Sequence, residues 1–168
     1  MPSASTPVIP NETVPVRFRD RVRARIGTAE LFVFRVGDEV FACDVRAVEE
    51  VVEAPVLYPL PAADPAMAGV CQYAGRSLAV VRATALLGVD GGQGGTVLVM
   101  RRGNEQLGLL VDDVDEVCSI ELSALRQPPW DGDDLLLAVH WDGTTLLAVV
   151  DARAMVTAAA AAIARGGR

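Results

Sequence analysis

Slid against itself by 66 residues, the chain matches in register: Phe32-Val33-Phe34-Arg35-Val36-Gly37-Asp38-Glu39 lies over Leu98-Val99-Met100-Arg101-Arg102-Gly103-Asn104-Glu105. Val45-Arg46-Ala47-Val48-Glu49-Glu50-Val51 likewise lies over Val111-Asp112-Asp113-Val114-Asp115-Glu116-Val117. Eight of the twenty pairs from 32 to 51 are identical, and glycine and glutamate match along with the valines, so strand alternation alone does not account for it. Each copy is followed by another hairpin pattern, around Gly75 or Gly143, and then by helix-prone residues. An all-β repeat of this size predicts two related small barrels joined by the Gly-rich segment 90–95. A seam between two barrels is lined by alternating strand side chains and makes a natural groove for a partner helix.

The local pattern agrees. Apolar runs at 31–36 and 40–45 flank Gly37-Asp38, and runs at 97–101 and 107–111 flank Gly103-Asn104. Runs at 68–73 and 78–81 flank Gly75, and those at 135–141 and 145–150 flank Asp142-Gly143. Glycine accepts the positive φ that a tight hairpin turn needs, so four hairpins and at least eight strands are expected, a mainly β fold. Helix is sparse: a turn or two over 82–87 before Gly88, and a terminal helix at about 151–165 in the Ala-rich stretch, with Asp151 as its N-cap. The segment 90–95 has neither a P-loop Lys-Ser/Thr nor G-x-G-x-x-G spacing, so it reads as a flexible joint.

Residues 1–29 form an expected flexible extension, with the body at 30–168. The first fifteen are rich in Pro, Ser and Thr and read as disordered. Over 16–26, arginine takes every second position (Arg17, Arg19, Arg21, Arg23, Arg25), a pattern that favours an edge strand with one cationic face, or else a solvated basic tail. Five arginines against Glu12 and Asp20 give this extension +3, which leaves −10 for the rest of a chain whose net charge is −7. Such an acidic body repels phosphates and argues against nucleic acid as a partner, although a ligand- or nucleic-acid-binding tandem barrel using the arginine stripe stays as a further reading. Neither a signal-peptide order nor a bilayer-length apolar run is visible, so a cytoplasmic protein without membrane insertion is expected.

Catalytic chemistry finds little footing. His140 is the single histidine and lies beside the apolar run Leu135-Leu136-Leu137-Ala138-Val139, with no serine or cysteine arranged as a nucleophile. Cys43, Cys71 and Cys118 sit among apolar residues and read as small hydrophobes, not as a disulfide or zinc set. Asp112, Asp113, Asp115 and Glu116 lack the glycine and terminal glutamate of a calcium loop and read as a solvated face. No enzyme, metal or cofactor is expected. Trp130 and Trp141 are either partner anchors or covers for barrel ends.

Gly108-Leu109-Leu110-Val111-Asp112-Asp113-Val114-Asp115-Glu116-Val117 resembles the G-x-x-V-D-x-V-x-x-V signature of CheW-like domains. The hairpin at 32–43 with Val48-Glu49-Glu50-Val51, the segment Gly69-Val70, Gly75 and Val80-Val81, and the run 146–150 with Asp151 are similar to that family's other strands, so the likeness spans about 30–156. It implies two five-stranded SH3-like barrels around a shared core. The function it implies is a non-catalytic scaffold that couples the tip of a methyl-accepting chemoreceptor to the regulatory domain of a CheA-type histidine kinase in chemotaxis, with self-association between CheW-like domains. The partner-binding residues it implies are Val48, Glu50, Val70, Gln72, Ala74, Gly75 and Arg76. Where the family has N-L-R-G this chain has Gln72-Tyr73-Ala74-Gly75, so Arg76 or Arg82 is left to supply the charge that Ala74 lacks. A scaffold of a non-chemotactic signalling system with altered receptor binding is the alternative.

Overall fold

The structure, a computed structural model, describes residues 17–61, 63–129 and 134–166. Its strands are β1 (Thr28–Val36), β2 (Glu39–Asp44), β3 (Glu50–Glu53), β4 (Met67–Tyr73), β5 (Arg76–Arg82) and β6 (Thr96–Arg102), followed by β7 (Glu105–Val111), β8 (Asp113–Val114), β9 (Cys118–Glu121), β10 (Leu136–Trp141) and β11 (Leu146–Val150). Three α-helices accompany them among the described residues, α1 (Phe18–Ala24), α2 (Ala83–Leu87) and α3 (Ala152–Gly166), with short 3-10 turns at Val45–Ala47 and Leu122–Ala124. All four expected hairpins form, each around its glycine.

The strands make two sheets, and the repeats do not map onto them one to one. One sheet runs β10-β11-β2-β1-β8, with β9 also paired to β1; the other runs β3-β6-β7-β5-β4. The first hairpin of each copy therefore pairs with the later strands of the other copy. β3 lies against β6 and β5 against β7, while β9 lies against β1 and β11 against β2. Segment 90–95 is accordingly not a joint between successive barrels, as the repeat alone suggests; it connects α2 to β6 within one of them. Repeat order in sequence does not state which copy a strand will pair with.

Each sheet is closed into a barrel by a matching device. Beyond β3, Tyr58 exchanges two backbone hydrogen bonds of 2.9 Å with Val70 of β4; beyond β9, Arg126 exchanges bonds of 2.8 and 2.9 Å with Val139 of β10. Joining the two edges of a sheet removes its unpaired rims.

Period-two alternation then divides the apolar residues. Leu31, Val33 and Ala42 face the interior of the first barrel with Leu122, Leu125, Ala138 and Val149. Val97 and Val99, one repeat on from Leu31 and Val33, fill the second barrel with Cys71, Leu78, Val80 and Leu110. The opposite faces, Phe34, Phe41 and Cys43 from one barrel and Met100, Leu107 and Leu109 from the other, meet in a shared core with Met155, Val156, Ala159 and Ala162 of α3. Ala42 corresponds to Gly108, where a Cβ would lie 2.7 Å from a Val97 methyl and 3.0 Å from Val80, so the second interior is filled to the backbone.

Helix α3 follows β11 of the first barrel but packs on strands of the second, which straps the two together. The Asp151 carboxylate accepts from the amides of Arg153 (3.0 Å) and Ala154 (3.4 Å), the expected N-cap. At the far end Arg165 donates to Asp64 (2.7 Å). A second tie involves the signature residue Asp112, expected on a solvated face. It is half-buried, and its carboxylate accepts from the amides of Gly37, Gln93 (2.7 Å) and Gly94 (2.6 Å). Burial acts to raise its pKa, yet the backbone hydrogen bonds prevail and hold it below the usual aspartate range. The Gly-rich segment is thus pinned to the β1–β2 turn, and Gly37 has no room for a side chain because a Cβ would lie 2.8 Å from the Asp90 carbonyl oxygen.

The arginine-rich segment is a helix, where an edge strand or solvated tail was expected. Phe18 and Val22, four residues apart, are buried in the first barrel's interior, and that i, i+4 pair outweighs the period-two arginines. The arginines point to different tasks: Arg19 donates to Asp151 (2.7 Å) and to the Asp134 carbonyl, Arg21 to the Thr28 carbonyl, and Arg25 to the Leu125 carbonyl (2.7 Å). No single cationic face results. The leader, residues 1–15, and Trp130 lie outside the described residues.

Candidate functional site

Four of the seven candidate residues meet at one place. The β4–β5 hairpin ends in Ala74-Gly75, flanked by the pair Tyr73 and Arg76. Gln72 is exposed and donates to the Ser77 hydroxyl (3.1 Å) across the same hairpin. Ala74 and Gly75 have φ of 51° and 77°, the left-handed pair of a type I′ turn. Alanine is a poor residue there because its Cβ meets the following carbonyl. Ala74→Asn is expected to stabilise the fold by about 0.5–1 kcal/mol, read as a higher urea midpoint at unchanged slope.

Beside this turn lies a groove of about 670 Å³. Tyr73, Arg76 and Ala79 form one wall, the β6–β7 turn with Arg102 and Leu107 another, and Ile163 of α3 a third. Its floor is apolar and its rim carries Arg76, Arg102 and Glu105. Sequence reasoning found the hairpin but missed Arg102 and Ile163, since only the pairing of β5 with β7 and the return of α3 bring them in.

The other three candidates stand apart. Val70 is half-buried in β4, opposite Ala79 and on the closing bridge with Tyr58. Val48 packs against the shared core, and Glu50 is exposed at the start of β3, opposite Val99. Its neighbour Glu49 is the more engaged carboxylate, accepting from Arg101 (2.6 Å) and Gln106 (2.8 Å), and these bonds hold it below the usual range. Arg82 is exposed at the far end of β5, next to α2, and does not line the groove.

Catalytic candidates are not brought together. Cys43 is buried, and burial with nearby Asp44 pushes its thiol up to about 12; burial also raises Cys71 and Cys118. Such thiols are poor nucleophiles at neutral pH. His140 is half-buried opposite Leu147 in the β10–β11 pair. Among the described residues no cluster of His, Cys, Asp or Glu has metal-site geometry, and no helix is long and apolar enough to cross a membrane.

Two interlocked barrels carrying a charged-rimmed, apolar-floored groove define a binding module. The family model described as CheW-like domain matches residues 30–160. The curated protein "Chemotaxis protein CheW" of Rhizobium meliloti (strain 1021) is 29% identical over 106 residues, covering 61% of this chain and 68% of that one. In structure, the scaffolding protein TtCheW from Thermoanaerobacter tengcongensis is similar with a TM-score of 0.64 at 18% identity, over 73% of this chain and 88% of that one. The class is that of non-catalytic scaffold and adaptor domains of chemotaxis signalling. The chain belongs to the CheW-like domain family.

Proposed function

We propose that this chain couples the helical tip of a methyl-accepting chemoreceptor to the regulatory domain of a CheA-type histidine kinase, and that the groove beside the β4–β5 turn is its receptor-facing surface. The observation that carries this reading is the position of Arg76 and Arg102 on the rim of an apolar groove next to Ala74. A cation two residues from the alanine supplies the charge that Ala74 lacks, while the half-buried Ala79 and Ile163 offer apolar contacts to a helix. Glu50, exposed on β3, suits a basic position on a partner. The expected result is that the full chain retains both a receptor tip and a CheA regulatory domain from the same organism in pull-downs. Arg76→Glu weakens receptor retention at least tenfold and leaves kinase retention unchanged. Retention of neither partner, or receptor binding indifferent to Arg76→Glu, overturns the assignment.

A further inference from the structure

The internal repeat builds the walls of the groove twice. Residues 104–107 of the β6–β7 turn correspond, 66 positions earlier, to Asp38, Glu39, Val40 and Phe41 of the β1–β2 turn. The pairing of Val80 with Gly108 and of Val149 with Ala42 likewise makes β11 the counterpart of β5. These equivalent elements enclose a second groove of about 560 Å³ on the first barrel. The third side differs: α3 closes the first groove, whereas Leu87 and Val89 at the end of α2, with Leu135 and Leu136 at the start of β10, close the second.

The two grooves differ in charge. The first has Arg76 and Arg102 against Glu105, whereas the charged residues lining the second are Asp38 and Glu39. Asp90 follows Val89, and its carbonyl lies against Gly37 beside that rim. The floor is apolar, with Phe41, Leu136 and Val139 among its lining residues, and Leu146 on its wall is 47% exposed, a large hydrophobe that this fold leaves uncovered. Helix-in-groove recognition matches an apolar stripe at i, i+3/i+4 and i+7 to such a floor and opposite charges to its rim.

We infer that the groove between the β1–β2 turn, β11 and the end of α2 is a second docking site, and that its occupant is an amphipathic helix of another protein bearing basic residues beside its apolar stripe. This site is separate from the receptor-facing groove and does not rest on that assignment. The complementarity is electrostatic at the rim and apolar at the floor, so binding weakens as salt screens Asp38 and Glu39.

The test uses the full chain and two 18-residue helical probes that share one leucine stripe, flanked by lysine in one and glutamate in the other. Fluorescence anisotropy reads affinity, and amide chemical-shift mapping reads location. The lysine probe is expected to bind at least tenfold tighter than the glutamate probe and to shift Val89, Leu136 and Leu146. Asp38→Lys/Glu39→Lys reverses the preference, and Leu146→Glu, at an exposed position, weakens binding at least tenfold with an unchanged circular dichroism spectrum. Equal affinity for both probes, shifts at Arg76 and Ile163 instead, or no binding overturns the inference. So does loss of receptor-tip retention in Asp38→Lys/Glu39→Lys, which assigns this groove to the receptor; loss only in Arg76→Glu leaves the two sites independent.

Discussion

Gly69→Ala lowers stability by about 3 kcal/mol, with a thermal midpoint reduced by about 10 °C, because it acts where the second barrel closes. Gly69 has φ of 142°, a region L side chains rarely adopt, and a Cβ there would lie 2.6 Å from the Tyr58 carbonyl oxygen. The obstruction is backbone, so no rotamer change relieves it. The residue next to it, Val70, makes both bridging hydrogen bonds to Tyr58, and a displaced bridge reopens the β4 edge. Amide exchange should therefore accelerate first at Tyr58 and Val70, while Arg126 and Val139 of the other barrel keep their protection until global unfolding. Unchanged denaturation and exchange would show that closure does not depend on this bridge.

Phe34→Ala is the second large effect, about 4 kcal/mol on the scale of buried phenylalanine truncations. Phe34 is fully buried and stacks on Phe41 with ring centroids 6.0 Å apart, in the core that both barrels share. The loss should consequently be felt by both barrels in one transition. Urea unfolding followed by circular dichroism should stay two-state with a lower midpoint, and exchange at Ala42 and Leu109 should rise together. Separate transitions would mean that the barrels are energetically independent and that the shared core does not couple them.

Much of this architecture is legible in the sequence, for reasons that differ by element. Hairpins are local: Gly37, Gly75, Gly103 and Gly143 all adopt positive φ at turns, and the apolar runs around them need no distant information. The cap at Asp151 and the stop at Gly88 are local in the same sense. The exchange of strands between copies is not, because Val51 pairs with Leu98 and Ala29 with Ile120 by tertiary packing alone. The arginine-rich segment misleads because period-two charge is conspicuous while the deciding pair, Phe18 and Val22, looks ordinary. Asp112 misleads in another way: among four nearby acids, one reaches the Gly-rich segment, and composition does not mark which. Of the candidate site, the turn at Ala74 is readable, but Arg102 and Ile163 join it only through the fold.

The crossing of strands between the two copies also bears on how such a molecule came to be. A chain holding one copy alone lacks the partner for its own first hairpin and completes neither barrel. Two identical half-length chains would supply each other's missing strands and form both, with α3 and α2 descending from one ancestral helix after the second hairpin. The single chain thus has the arrangement that a fused pair of identical halves would have, with the segment from β5 to β6 lying where the two halves would join. Held in one chain, the two halves need not stay identical, and one groove is rimmed by Arg76 and Arg102 with Glu105 while its twin is rimmed by Asp38 and Glu39.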